Sequence, residues 1–388
     1  MPAGDRSVDV LLVGGGVASV RCARTLRRHR YDGSILLVGA EDRAPYNRPP
    51  LSKELLREDL PDELLDAEPP SWYARRSIEL RTDTAVTALE PTRRLATLAD
   101  GTTVSFERCL LATGAELRRL QVPGGARALM LRTVADARRL RGAAIDAAPG
   151  APVVVVGGGF IGLETASALA GLGLRPTVVE MAPLLWAGSL GASLAGWAAA
   201  RLSAAGIGLR PGAAVTRLDE DGAWIGDELL PGAFVVAGIG VVPRVELAEI
   251  AGIEARDGIT VDGEQRTSHP AVWAAGDVAS VNGRRVEHWH AAREAGERAA
   301  LSMLGLDVPA VPPAWVFAEV AGASVDVIGS VDGWEEERWI AADRRLVYLR
   351  GGRVVGVASI EGAVAAEVAR GLVASGASAE DVAAAASV

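Results

Sequence analysis

The chain has 388 residues, too many for one ordinary core and suited to two or three domains; 49% of them are apolar, so a large core can form. A net charge of −9 argues against nucleic-acid binding, and no apolar run approaches the roughly 18 residues that cross a bilayer. Two isolated cysteines, Cys22 and Cys109, exclude a disulfide framework, an iron–sulfur cluster and a dithiol redox centre within the chain. With no signal-peptide pattern at its start, the protein is expected to be soluble and cytoplasmic.

The apolar run Val8 to Val13 reads as a buried strand after a short polar lead, Met1 to Asp9. It ends at Gly14-Gly15-Gly16, and a helix carrying Cys22 then continues to about Arg28. Gly14 permits the tight turn and Gly16 lets backbone approach a pyrophosphate, with the helix N-terminus supplying free N–H groups. Ser19 stands where a third glycine is common. A second strand, Ser34 to Val38, leads to Glu41, an acid placed to hold an adenine ribose. The stretch Pro45 to Lys53 is too proline-rich to begin as helix. Its Lys53 is the one lysine among 40 basic residues, 39 of them arginine. Residues 78–111 read as short strands in a meander, with Asp100-Gly101 as a hairpin turn. The last of them carries Cys109 and closes on Ala112-Thr113-Gly114. Both cysteines read as buried and inert.

The same pattern recurs at Val153 to Val156, Gly157-Gly158-Gly159, and a helix from Ile161 to Leu172. Here the third glycine is present as Gly162. Two such turns in register imply a chain that holds two dinucleotides at once. The strand Pro176 to Val179 ends at Glu180, whose carboxylate would accept a ribose 2′-hydroxyl and repel a 2′-phosphate. No arginine or lysine follows in Met181 to Gly191, so NADH is preferred over NADPH. The run Ala233 to Gly240 and the strand Val272 to Ala274, which ends at Gly276-Asp277, come next. After Pro313 the chain is expected to form strands at Ser324–Ile328, Arg345–Tyr348 and Val354–Ser359, then a helix from Ala363 to Leu372. The alanine-rich end, Val382 to Val388, is expected to fray. His288 and His290 are one residue apart with no third ligand nearby, so no metal site is expected.

At Pro45–Lys53, Gly157–Glu164, Ala275–Asp277 and Glu287–Trp289 together, the chain resembles the oxygenase-coupled FAD-dependent ferredoxin and rubredoxin reductases, of the putidaredoxin reductase type. The likeness covers nearly the whole length and includes Pro49-Pro50-Leu51-Ser52-Lys53, with no redox cysteine nearby. It implies an α/β fold: two Rossmann-like domains in the glutathione-reductase arrangement and a small α+β C-terminal domain. The implied order is an FAD-binding part over 1–115, an NAD-binding domain over 116–241, a second FAD-binding part over 242–312 and an interface domain over 313–388.

The resemblance also assigns residues. Gly14, Gly16, Ser19, Glu41, Arg48, Lys53, Val86, Ala112, Thr113, Gly114, Arg132, Gly276, Asp277, Trp289 and Phe317 would serve FAD. Gly157, Gly159, Phe160, Ile161, Gly162, Glu180 and Gly240 would serve NADH, with Phe160 lying where the nicotinamide stacks. Lys53 and Glu164 would form the catalytic pair, the ammonium offsetting negative charge on the reduced ring. The chain would be an NADH-dependent oxidoreductase, monomeric or dimeric, that passes electrons to an acidic ferredoxin or rubredoxin. An arginine-rich face such as Arg24 to Arg30 or Arg138 to Arg141 would meet that partner.

Four departures from the family pattern bear on the acceptor. The ribose acid comes one residue late, at Glu41 rather than Ala40. Val320 stands where the Trp-Phe-Trp-Ser-Asp-Gln segment has its final polar residue. The usual basic residue is missing from Leu184 to Ala187, and Arg244 replaces an asparagine after Val242-Pro243. A flavoenzyme that reduces dioxygen, a quinone or a small metabolite therefore stays open. So does a redox-sensing protein that holds a long-lived reduced complex.

Overall fold

A computed structural model describes residues 6–58, 60–330, 332–340 and 344–385. The chain divides into two compact units. The first takes residues up to Arg48, Pro61–Glu116 and Val242–Val311, and the second takes Pro49–Leu60, Leu117–Val241 and Pro312 onward.

In the first unit Arg6–Val13 is the central strand, parallel to Ile35–Val38 on one side and to Thr103–Leu111 on the other. Ile78–Arg81 and Val272–Ala274 extend the parallel sheet at either side. Val10, Leu11 and Leu12 are fully buried. That is why their stretch reads as continuously apolar: a parallel sheet has no wet face. Val86–Glu90 and Leu95–Leu98 add to the same sheet as antiparallel strands, and Gly101 turns the hairpin with φ +83°. The expected meander therefore begins at Val86. Ile78–Arg81 belongs instead to the parallel sheet, because it follows a crossover through the short helix Pro70–Arg75.

The helix Val17–Arg28 packs against Trp289–Met303. Gly296 lies so near that a Cβ there would stand 2.1 Å from the Ala18 carbonyl oxygen. The two cysteines sit where expected, buried and unpaired, and burial pushes both thiols well above their ordinary range.

The second unit holds a five-stranded parallel sheet in the order Gly208–Pro211, Arg175–Glu180, Pro152–Val156, Val235–Ala237 and Leu129–Met130. Its glycine turn leads into the helix Phe160–Gly171. This unit also holds the segment Pro49–Leu60, which begins as a single 3-10 turn over Pro49–Ser52 and continues as the helix Glu54–Arg57. The stretch starts without helix over residues 45–48, as expected, and a helical turn begins at Pro49 and Pro50, where proline's fixed φ and missing N–H cost nothing.

The C-terminal sheet is antiparallel, in the order Trp315–Val320, Ala323–Gly329, Arg353–Ile360, Arg345–Arg350 and Glu336–Ile340. Its first and last strands show no alternation in sequence, the first because every residue but Glu319 is apolar, the last because charges fall on both faces. The helix runs Ala366–Ser375, three residues later than expected. Val382, placed in a fraying tail by its sequence, is fully buried in a helix over Ala379–Ala384. A capping box from Ser378 and Asp381 starts that helix. The first five residues and the last three of the chain lie outside the described residues.

Two glycines with opposite surroundings test this packing. Gly296→Ala should lower the melting temperature by several degrees, since overpacking costs about 1–3 kcal/mol. Gly171→Ala, where nothing lies within 4 Å, should leave it unchanged or raise it slightly. Equal melting temperatures for the two variants, read by circular dichroism, would contradict the close helix contact.

Candidate functional site

Each glycine turn is forced by the neighbouring strand end. Gly14 adopts φ +118°, and a Cβ there would stand 2.1 Å from the Ala112 carbonyl oxygen. Gly157 adopts φ +109°, with the Gly238 oxygen 2.3 Å from the same position. Any other residue would be both strained and in collision. Gly16 and Gly159 differ: their φ is ordinary, and nothing lies within 4 Å of the missing side chain. Those faces are open, as close approach of a pyrophosphate requires. Behind each begins a helix of 12 residues, whose first N–H groups and dipole favour an anion. Gly162 fits against the turn, a Cβ there standing 1.9 Å from the Gly157 oxygen. Ser19, its counterpart in the first turn, is fully buried, and its Oγ has no partner among the described residues.

In the first unit, Glu41 accepts hydrogen bonds from Tyr46 Oη and Arg48 Nη2, both at 2.7 Å. The acid expected at a ribose is thus tied to the arginine expected at the same cofactor, while the Arg48 guanidinium lies over the Tyr46 ring at 5.0 Å. Trp289 donates from Nε1 to Asn47 Oδ1 at 3.0 Å and carries Arg293 over its ring at 4.3 Å. Thr113 Oγ1 donates to the Arg244 carbonyl at 2.8 Å, and the Arg244 N–H returns a bond to Gly114 O. Arg244, where the family has asparagine, is therefore fastened by its backbone. Val86 opens its strand half-buried, and Ala112 is buried with its N–H on Val13 O. Gly276 turns at φ +81° between Ala18 and Ala292, and the Asp277 carbonyl accepts from Arg285 Nη1. The rings of His288 and His290 stack at 6.2 Å, and the described residues contain no cluster able to hold a metal.

In the second unit, Glu180 accepts from Gly158 N at 2.6 Å and from Ala182 N at 2.7 Å, which holds its carboxylate at the glycine turn. Ile161 is exposed beside it, and Gly240 turns at φ +92°. Arg132 donates its N–H to Asp136 Oδ2, part of a capping box that starts the helix Val134–Asp146. Phe160 meets Trp186 at 6.0 Å between ring centres. Trp186 is buried, has φ +56°, and its indole N–H lacks a partner among the described residues. No local signal in the sequence marks it.

Lys53 and Glu164, 111 positions apart, meet in this unit with Nζ 2.7 Å from Oε1, and both are buried. Ser52 Oγ donates to the other carboxylate oxygen at 2.5 Å, and the Glu319 N–H donates to Oε1 at 3.2 Å. Three donors thus satisfy a carboxylate that could not stay charged in a dry interior alone. The Lys53 ammonium also donates to Pro49 O at 3.3 Å and lies 5.5 Å from the centre of the Phe317 ring. Sequence reasoning missed Ser52, although it lies within the quoted motif, and had no means to find the Glu319 backbone.

With this geometry in view, comparison with known proteins is direct. The profile described as pyridine nucleotide-disulphide oxidoreductase matches residues 8–296, from the first strand into the helix that starts at Trp289. The chain belongs to that family. As a member it is an oxidoreductase that works with a pyridine nucleotide, although its buried, separated cysteines provide no disulfide centre of its own. It is 32% identical to a rubredoxin-NAD(+) reductase of Pseudomonas putida over 84% of this chain and 88% of that protein. It is 35% identical to the ferredoxin–NAD(+) reductase component of an anthranilate 1,2-dioxygenase system from Burkholderia cepacia, over 82% of this chain and 81% of the other. The structure of a covalent putidaredoxin reductase–putidaredoxin complex superposes with a TM-score of 0.89 at 28% identity, covering 96% of this chain and 94% of that one. The expected α/β fold with its small C-terminal domain is the fold of these pyridine nucleotide oxidoreductases.

The open face at Gly159 has a direct test. Gly159→Val should fold normally, since its φ is ordinary and no atom lies within 4 Å of the new Cβ, yet weaken NADH binding at least tenfold. Equal affinity by fluorescence titration would remove the turn from the binding site.

Proposed function

We propose that this protein is an NADH-dependent FAD flavoprotein that passes electrons from NADH to a small iron–sulfur protein of the ferredoxin or rubredoxin type. The doubled turn carries this reading: two strand–glycine–helix units, each with a collision-locked first glycine and an open third one. The relatives' printed names support both the nicotinamide donor and the acceptor class.

The residues fit both dinucleotides. In the first unit, Gly14 and Gly16 would hold the FAD pyrophosphate, with Arg48 and Asp277 as further contacts. In the second unit, Gly157 and Gly159 would hold the NADH pyrophosphate, and Glu180, fastened by two backbone N–H groups, would face the adenine ribose. Its negative charge excludes a 2′-phosphate, and no basic side chain from Met181 to Gly191 offsets it. When bound, the flavin would supply two-electron uptake from NADH and one-electron delivery to the acceptor.

The protein's own part is orientation and electrostatics. Lys53 holds a positive charge in a buried setting, where a fixed charge acts more strongly than in water. Glu164 fixes that charge in place, and Ser52 fixes Glu164. Phe160 begins its helix directly after Gly159, so it is placed to cover or admit a nicotinamide at the turn. Val320, at the altered position of the C-terminal segment, is fully buried and takes no part in a polar contact through its side chain.

Lys53→Ala should still bind FAD but be bleached by NADH at least tenfold more slowly in anaerobic stopped-flow. An unchanged rate would remove Lys53 from the reaction. Glu180→Ala should reduce the NADH-over-NADPH ratio of kcat/KM at least tenfold, and an unaltered ratio would place discrimination elsewhere.

A further inference from the structure

The last two residues of the strand Trp315–Val320 and the residue after it are fastened within the second unit. The Glu319 N–H donates to Glu164 Oε1 at 3.2 Å, the Val320 carbonyl accepts from Arg201 Nε at 3.0 Å, and the Ala321 N–H donates to Ser167 Oγ at 3.0 Å. Alternation along the strand buries Ala318 and Val320 on one face. Phe317 and Glu319 occupy the other, where Phe317 meets the Lys53 ammonium and Glu319 meets Arg57 at 2.9 Å. Arg57 lies four residues after Lys53 at the end of the same short helical segment, one turn further along.

We infer that the Arg57–Glu319 ion pair is a latch that positions the Lys53–Glu164 pair. Arg57 and Glu319 are partly exposed, 36% and 25% by side chain, so their attraction adds little to stability. The strand's register is set by its pairing with Ala323–Gly329, and what the ion pair adds is a side-chain tie from that fixed strand to the helical turn that carries Lys53. Latched, the strand presents the Glu319 N–H to the same carboxylate oxygen that Lys53 contacts. Unlatched, the Glu319 N–H stays on Glu164, held by the strand, while the segment that carries Ser52 and Lys53 loses its side-chain tie to that strand and can shift against the carboxylate. The latch therefore makes a C-terminal strand part of the support for Lys53. Its importance for turnover rests on the role given to Lys53 above; its existence does not.

The single lysine makes the test selective. Protein labelled with 15N at the lysine ζ position gives one side-chain NMR signal, which belongs to Lys53. In the FAD-loaded protein, Arg57→Met and Glu319→Gln should each shift and broaden that signal. Each should also slow bleaching by NADH at least fivefold, with melting temperatures within about two degrees of the parent. Glu319→Asp, which keeps the charge, should remain close to the parent. The reversed pair, Arg57→Glu with Glu319→Arg, should recover most of both effects. A Lys53 signal in Glu319→Gln that superposes on the parent's overturns the latch, as does a melting temperature that falls while signal and rate stay fixed. Should either single variant fail to fold, the reversed pair and Glu319→Asp decide by the same signal. If Lys53→Ala leaves bleaching unchanged while the latch variants still move the signal, the catalytic reading fails and the latch stands.

Discussion

Contact between backbone and backbone at the two glycine turns is the constraint on which the other features depend. At Gly14 and again at Gly157, the carbonyl of the next strand's end occupies the space that a side chain would need. The turn can therefore pass directly beneath that strand end, and the helix that follows starts with its N–H groups unspent. Gly16 and Gly159 leave the opposite side open. A locked glycine and an open one, two positions apart, create a narrow place where an anionic diphosphate can reach bare backbone. The long apolar strands serve this end by holding the turn rigid within a core that has no wet face.

Charge is handled differently in the two units. In the first, Glu41, Tyr46 and Arg48 form a partly exposed cluster whose members satisfy one another. Arg48 thus remains oriented even though arginine is long and flexible. In the second, one carboxylate gathers a lysine, a serine and a backbone N–H inside a buried setting. Removing any one of these donors leaves a charge underpaid in hydrogen bonds, which is far costlier inside than at a surface. The arrangement is thus sensitive, and a sensitive arrangement is a suitable place for a charge whose position matters.

The family's name includes a disulfide that this chain does not form. Cys22 faces the core from the first helix and Cys109 from the sheet, and both are shut away from solvent. Burial in apolar surroundings raises the cost of a thiolate, the form that would attack another sulfur. Electrons from a nicotinamide therefore need a route that involves no cysteine of this chain, which agrees with a flavin that hands them to an external acceptor.

The local alphabet of the sequence determined the two strand–glycine–helix units, the buried cysteines, and Glu180 at the end of its strand. Each depends on residues within about 25 positions, where glycine freedom and apolar runs speak directly. The resemblance carried the reading further, to Lys53 and Glu164. Only tertiary structure decided the rest. Ile78–Arg81 joins a parallel sheet because a crossover brings it there, and Val382 is buried because a cap and a sheet surround it. Glu319 reaches Glu164 through a backbone N–H, a group every residue but proline possesses, so no side-chain pattern could announce it. Chain-distant hydrogen bonds of that kind are written in the fold, where strand register selects which of many identical amides meets the charge.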